Sequence, residues 1–218
     1  MRRWEGRAWA ALTLAAASAL LVVVRVTETF GRGSIFCSNT ACFVEGVLWS
    51  FPGYAAMLAV VVADVLIAAA LVRAGLGPSS VRLAALAAAL AGGVAYVVAA
   101  LVTLDFAWAG AFSGRLTPPA PVPLMPPALV TLTPSLWAIS MILVGVSIAL
   151  ISLLLVRLRA PRSLVVLGWI AGVAIATLVA STQRVHAVYP YAVPIAFLML
   201  SAWAFWLAML LKRTPRAA

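Results

Sequence analysis

The sequence predicts an all-α polytopic membrane protein, a bundle of six transmembrane helices with both termini cytoplasmic, on three observations. Apolar residues make up 66% of the chain and charged residues only 9%, a balance far from that of a soluble core. Apolar runs of about twenty residues, the length that crosses a bilayer as a helix, recur from end to end. The basic residues stand in small groups at the ends of these runs, so the formal net charge of +10 reads as topogenic and not as a nucleic-acid footprint. Residues 1–218 are expected to form a single integral membrane domain.

The first helix is expected over 8–26, after Arg2, Arg3 and Arg7. It resembles a signal peptide, but its apolar part is longer than a typical signal core and no small-x-small site closes it, so an uncleaved helix is expected. Residues 27–50 form an extracytoplasmic loop holding Cys37 and Cys42, with a short interfacial helix at Val44–Trp49. The second helix, 51–72, begins at Pro52-Gly53 and is stopped by Gly75, Gly77 and Pro78. The third covers 83–104, with Gly92-Gly93 at its middle for close helix approach.

Residues 117–127, TPPAPVPLMPP, hold six prolines. So many missing amide donors forbid a regular helix or a central strand, and a stiff extracytoplasmic connector is expected. The fourth helix, 129–156, carries Pro134 in its first turns, where a missing N–H is tolerated. The fifth, 164–180, contains Gly168-x-x-x-Gly172 followed by Ala176 on the same face. That pattern serves contacts within the bundle, a homo-oligomer or a partner subunit. The sixth covers 191–211 and is closed by Lys212, Arg213 and Arg216.

Charge fixes the expected threading. With the N-terminus inside, the inner segments hold Arg2, Arg3, Arg7, Arg73, Arg82, Arg157, Arg159, Arg162, Lys212, Arg213 and Arg216, whereas the outer segments hold only Arg25, Arg32, Arg115 and Arg184. This is the positive-inside distribution of a cell-membrane protein. Asn39 and Gln183 are the only side-chain amides and Lys212 the only lysine, a composition consistent with a heat-adapted source.

Candidate chemistry is sparse. Cys37 and Cys42 are the only cysteines, and in an oxidising compartment they are expected to form a disulfide, either as a structural staple or as a redox-active pair. Two thiols and the single histidine, His186, are too few to hold a metal. Arg184 and His186 form a polar outer-surface pair beside Tyr189 and Tyr191, suited to interfacial anchoring or to an anionic group. Phosphate-binding glycine loops, nucleophile elbows and zinc-protease motifs are absent from the sequence, and no resident cofactor is expected.

The order of Cys37, Cys42, the interfacial segment from Val44, and Pro52-Gly53 at the start of the next helix resembles the vitamin K epoxide reductase family and, more distantly, the DsbB-type thiol oxidases. That resemblance covers about forty residues. It implies a four-helix core, a second cysteine pair and electron transfer to a quinone, with Cys37 and Cys42 as the catalytic thiols of an extracytoplasmic thiol-disulfide oxidoreductase. This chain holds a single cysteine pair.

Asp64 is the one acid deep in an apolar run. A carboxylate at a helix centre costs about 3 kcal/mol on insertion scales. Asp64 is therefore expected to be protonated, to meet water, or to face a hydroxyl at similar depth, the candidates being Tyr96, Ser140, Ser147 and Thr177. Two functions follow: a transport-type protein or accessory subunit of a membrane complex with Asp64 facing the interior, or the thiol oxidoreductase.

Overall fold

In a bilayer no water satisfies backbone N–H and C=O groups, so a long apolar run can bond them only within itself, as a helix. The computed structural model describes residues 2–30, 40–75, 77–113, 127–157, 159–179 and 189–213, and the side chains of 8–24, 26, 52–75, 77–104, 132–157, 159–177 and 192–212. Among these residues the structure is all-helical: α1 (Arg2–Phe30), α2 (Thr40–Ala74), α3 (Ser79–Ser113), α4 (Pro127–Arg157), α5 (Arg162–Ala174), a π-helical turn (Ile175–Val179) continuing α5, and α6 (Tyr189–Arg213).

Four helices are long and apolar enough to cross a membrane, over Pro52–Ala74, Ser79–Leu104, Leu132–Arg157 and Ala192–Lys212. The shortest of these spans has 21 residues, and at about 1.5 Å per residue it matches a hydrocarbon core of about 30 Å. Ala8–Val24 and Arg162–Thr177 are shorter apolar helices. The protein is therefore a helical membrane protein, and its outer surface shows it: Leu58, Val62 and Leu66 are exposed on α2 while Val60, Ala63 and Ile67 are buried.

The helices overrun the expected boundaries at their polar ends. α1 reaches Phe30 and α2 begins at Thr40, which corrects the two ends of the loop expected over 27–50, residues 31–39 lying outside the described residues: Cys42 and the Val44–Trp49 segment stand on α2. A helix already nucleated gains one backbone bond for each residue it adds, so polar flanks extend it readily. Pro52 lies inside α2; it removes its own bond to the Leu48 carbonyl without ending the helix. α3 runs beyond Leu104 to Ser113. Pro127, expected to close the proline-rich loop, is instead the first residue of α4, a position where its missing donor is harmless.

The helices close into a ring, each packed on the next and α6 packed back on α1, with α2 also touching α4 across the middle. Neighbouring pairs run antiparallel where side chains mark the register. Val24 of α1 lies against Gly53 of α2, Gly93 of α3 against Val61, and Gly92 of α3 against Ser140 and Val144 of α4. α2 and α4 are consequently parallel.

Two turns sit at the same end of the ring. Gly75 and Gly77 both have left-handed φ, 69° and 75°, which lets the chain reverse within 75–78. The 158–161 turn contains Arg159 at φ 53° and Pro161 as the residue before α5.

Candidate functional site

Asp64 faces the bundle interior on the stripe of α2 that also carries Val60, Val61 and Ile67, and it is 1% exposed. Ser147, wholly buried on α4, donates through Oγ to Asp64 Oδ1 at 3.2 Å. The other carboxyl oxygen, Oδ2, is buried and has no hydrogen-bond partner among the described residues.

The two helices are in register along this whole stretch. Tyr54 and Trp137 meet with ring centroids 5.9 Å apart, and Asp64 meets Ser147 ten residues further along both chains (64 − 54 = 147 − 137 = 10). The helices end at Ala74 and Arg157, ten residues further again (74 − 64 = 157 − 147 = 10). Ten helical residues rise about 15 Å, so the carboxyl sits midway between the aromatic layer and the helix ends, at mid-span. Arg73, the next cation along α2, is nine residues away (73 − 64 = 9), about 13 Å along the axis.

The aromatic layer fixes this geometry. Tyr96 of α3 donates its hydroxyl to the Tyr54 carbonyl at 2.6 Å and stands edge-on to Trp137 with centroids 5.1 Å apart. Tyr96 thus ties α2 to α4 through α3, which holds Asp64 and Ser147 at one level. An edge-on aromatic pair contributes about 0.5–1.5 kcal/mol beyond its buried area.

Of the four hydroxyls expected to answer Asp64, Ser147 is the one that reaches it. Tyr96 is committed to Tyr54, and Thr177 donates to the Val173 carbonyl of its own helix at 2.7 Å. Ser140 Oγ is buried without a partner among the described residues, two helical turns from Ser147 on the same face of α4. Ser152, buried one turn past Ile148, donates to the Ile148 carbonyl at 2.8 Å.

Sequence reading missed a second buried polar group. Trp203 of α6 is fully buried, and its Nε1 has no acceptor among the described residues. Its indole edge occupies the notch left by Gly168: a Cβ on that glycine would strike Trp203 Nε1 and Ser152 Oγ. The signal was present in the Gly168-x-x-x-Gly172 pattern, but the pattern does not say which helix fills it. Within the chain Gly168 receives Trp203 of α6 and Ser152 of α4, and Gly172 receives α4, where a Cβ would lie 2.9 Å from Ala149 N. This face is therefore in use inside the bundle, and an oligomer formed through Gly168 and Gly172 would have to displace α4 and α6.

Cys37, Arg184 and His186 lie outside the described residues, as does the proline-rich stretch over 117–126; of Cys42 only the backbone, on α2, is described. Among the described residues no three His, Cys, Asp or Glu side chains come together. What the arrangement offers chemically is one carboxyl at mid-span, hydrogen-bonded on one oxygen and open on the other. Comparison with protein-family models, with curated proteins and with solved structures finds no match.

Proposed function

We propose that the chain is a small multi-pass protein of transport type, with both termini cytoplasmic, in which Asp64 takes up and releases a proton. The observation that carries this reading is the unpartnered Oδ2 beside a satisfied Oδ1. A carboxyl that served only to pin two helices would gain from engaging both oxygens, because each buried polar atom left without a partner costs about 1–3 kcal/mol. An ionisable side chain kept at mid-membrane under that penalty is by default a functional group. Ser147 supports either form, since its hydroxyl donates to Oδ1 whether or not Oδ2 carries the proton.

The test is proton flux into proteoliposomes holding a pH-sensitive dye, driven by an imposed potassium diffusion potential. Wild-type protein is expected to carry protons. Asp64→Asn, which keeps shape and hydrogen bonding but cannot ionise, is expected to abolish the flux with the fold intact. Asp64→Leu removes both properties and is expected to weaken folding as well. Absence of flux in the wild type would sink the transport reading and leave the chain as an accessory subunit of a membrane complex, with Asp64 as interhelical glue.

A further inference from the structure

We propose that the end of the bundle bearing the 75–78 and 158–161 turns seats the phosphate of an anionic phospholipid headgroup on Arg82 and Arg157. This goes beyond the role of Asp64 and does not depend on it.

Depth comes first. Arg73 is the last residue but one of the Pro52–Ala74 span, Arg157 ends the Leu132–Arg157 span, and Arg82 lies in the first turn of Ser79–Leu104. All three guanidiniums thus stem from the level where apolar helix gives way to the headgroup layer, where phosphates lie. Arg159 and Arg162, both exposed, belong to the adjoining turn and the start of α5.

Charge comes second. Among the residues whose side chains are described, none of these five arginines has a carboxylate partner, and Asp64, the one acid among those side chains, is at mid-span. A cluster of this size beside membrane helices attracts anionic headgroups, each cation contributing about fivefold in affinity.

Local construction separates a seat from a diffuse field. Arg82 is half-buried, its Nε is shielded from solvent, and that donor has no acceptor among the described residues. The guanidinium lies over the turn, with Nη1 3.3 Å from where a Gly75 Cβ would stand. In the same turn, a Cβ on Gly77 would lie 2.7 Å from Leu154 Cδ2 and 3.7 Å from Arg157 Cγ. The Arg82 guanidinium and the stem of Arg157 therefore border one glycine turn whose left-handed residues leave no Cβ in the way. A desolvated guanidinium N–H wants an anionic acceptor, and a phosphate presents paired oxygens that match the arginine fork.

The experiment titrates phosphatidylglycerol into the purified full chain in non-ionic detergent and reads bound lipid by native mass spectrometry, with phosphatidylcholine and inorganic phosphate in parallel. Phosphatidylglycerol is expected to be retained, phosphatidylcholine to be lost, and inorganic phosphate to displace nothing. Arg82→Gln is expected to weaken retention about fivefold, and Arg82→Lys equally, because lysine keeps the charge but has no donor at the Nε position. Arg162→Gln, which removes the same charge outside the seat, is expected to leave retention within about twofold. If Arg82→Gln does not fold, Arg157→Gln carries the same expectation. Equal loss in Arg162→Gln, full rescue by Arg82→Lys, or equal retention of the two lipids would reduce the seat to diffuse attraction and overturn the proposal. Displacement by inorganic phosphate would reassign it to a soluble anion.

Discussion

Gly145 of α4 and Gly172 of α5 meet backbone to backbone: a Cβ built on Gly172 would lie 2.5 Å from the Gly145 carbonyl oxygen, and one on Gly145 would strike the Gly172 carbonyl and come within 2.8 Å of Ala176 N. No side-chain rotation relieves either contact, since the obstructing atoms are main chain. Without a hydrophobic drive between helices in lipid, such close packing supplies much of the association energy. Gly172→Ala is expected to destabilise the protein by about 3 kcal/mol, the upper range for forcing extra volume into a packed site. Gly53→Ala is the control, because among the described residues its added Cβ would meet only Val24 Cγ1 at an ordinary 3.4 Å; it should be neutral or stabilising by up to about 1 kcal/mol through helix propensity. Thermal unfolding in detergent reads both, and equal effects would refute the close-contact account.

Ser147→Ala tests the carboxyl site from the other helix. It removes the sole described donor to Asp64 without changing the carboxyl. Interhelical hydrogen bonds in membrane proteins average about 0.6 kcal/mol with a maximum near 2, and a carboxyl stripped of its partner belongs near the top of that range. The expected result is a loss of about 1–2 kcal/mol in reversible unfolding, largely suppressed in an Asp64→Leu background, where no acceptor for Ser147 remains, if the two residues act as a pair. Additive losses in the double variant would show that they do not.

Threading is testable at the two turns. Ser79 and Ser163 are both exposed, each at the start of a helix on the same end of the bundle. In a background with Cys37 and Cys42 replaced by serine, a cysteine at either position is expected to be shielded from a membrane-impermeant thiol reagent in intact cells and labelled after permeabilisation. Labelling of both without permeabilisation would invert the proposed orientation; labelling of only one would break the alternation of the helices.

The span regions were legible because a bilayer leaves the backbone no alternative to helix, and apolar length is read directly from residues such as those from Pro52 to Ala74. Helix ends were less legible. Whether Thr27–Phe30 or Thr40–Ser50 continues a helix depends on a neighbouring turn already formed, which a residue-by-residue reading treats as polar loop. The π turn at Ile175–Val179 has no local composition signal; it lies where α5 passes the Gly145 contact, so the tertiary crossing and the irregular turn occur together. The sequence marked Asp64 as expensive but offered four hydroxyls at similar depth. The choice among them rests on the register of α2 against α4, which the Tyr54–Tyr96–Trp137 layer sets from ten residues away.

The cysteine pair yields a prediction that bears on the thiol-oxidoreductase alternative. Joint replacement of Cys37 and Cys42 by serine is expected to leave a folded protein destabilised by no more than about 2 kcal/mol, the scale of closing so short a loop in the chain-entropy picture. Proton flux in proteoliposomes should be unaffected. A double variant that folds yet loses flux would make the thiols part of the mechanism.

Ser201 of α6 donates to the Ala15 carbonyl of α1 at 2.9 Å, across 186 residues of chain. Synthesis proceeds from the N-terminus, so α1 enters the membrane long before the helix that covers it exists. Until α6 arrives, α1 has α2 as its only partner among the described elements of the ring. Ring closure thus waits for α6, and until then the half-made chain has an open seam. A ribosome stalled before residue 192 would leave in the membrane a nascent bundle whose first helix is still seeking its neighbour, and such intermediates are the natural clients of an insertase or a membrane chaperone.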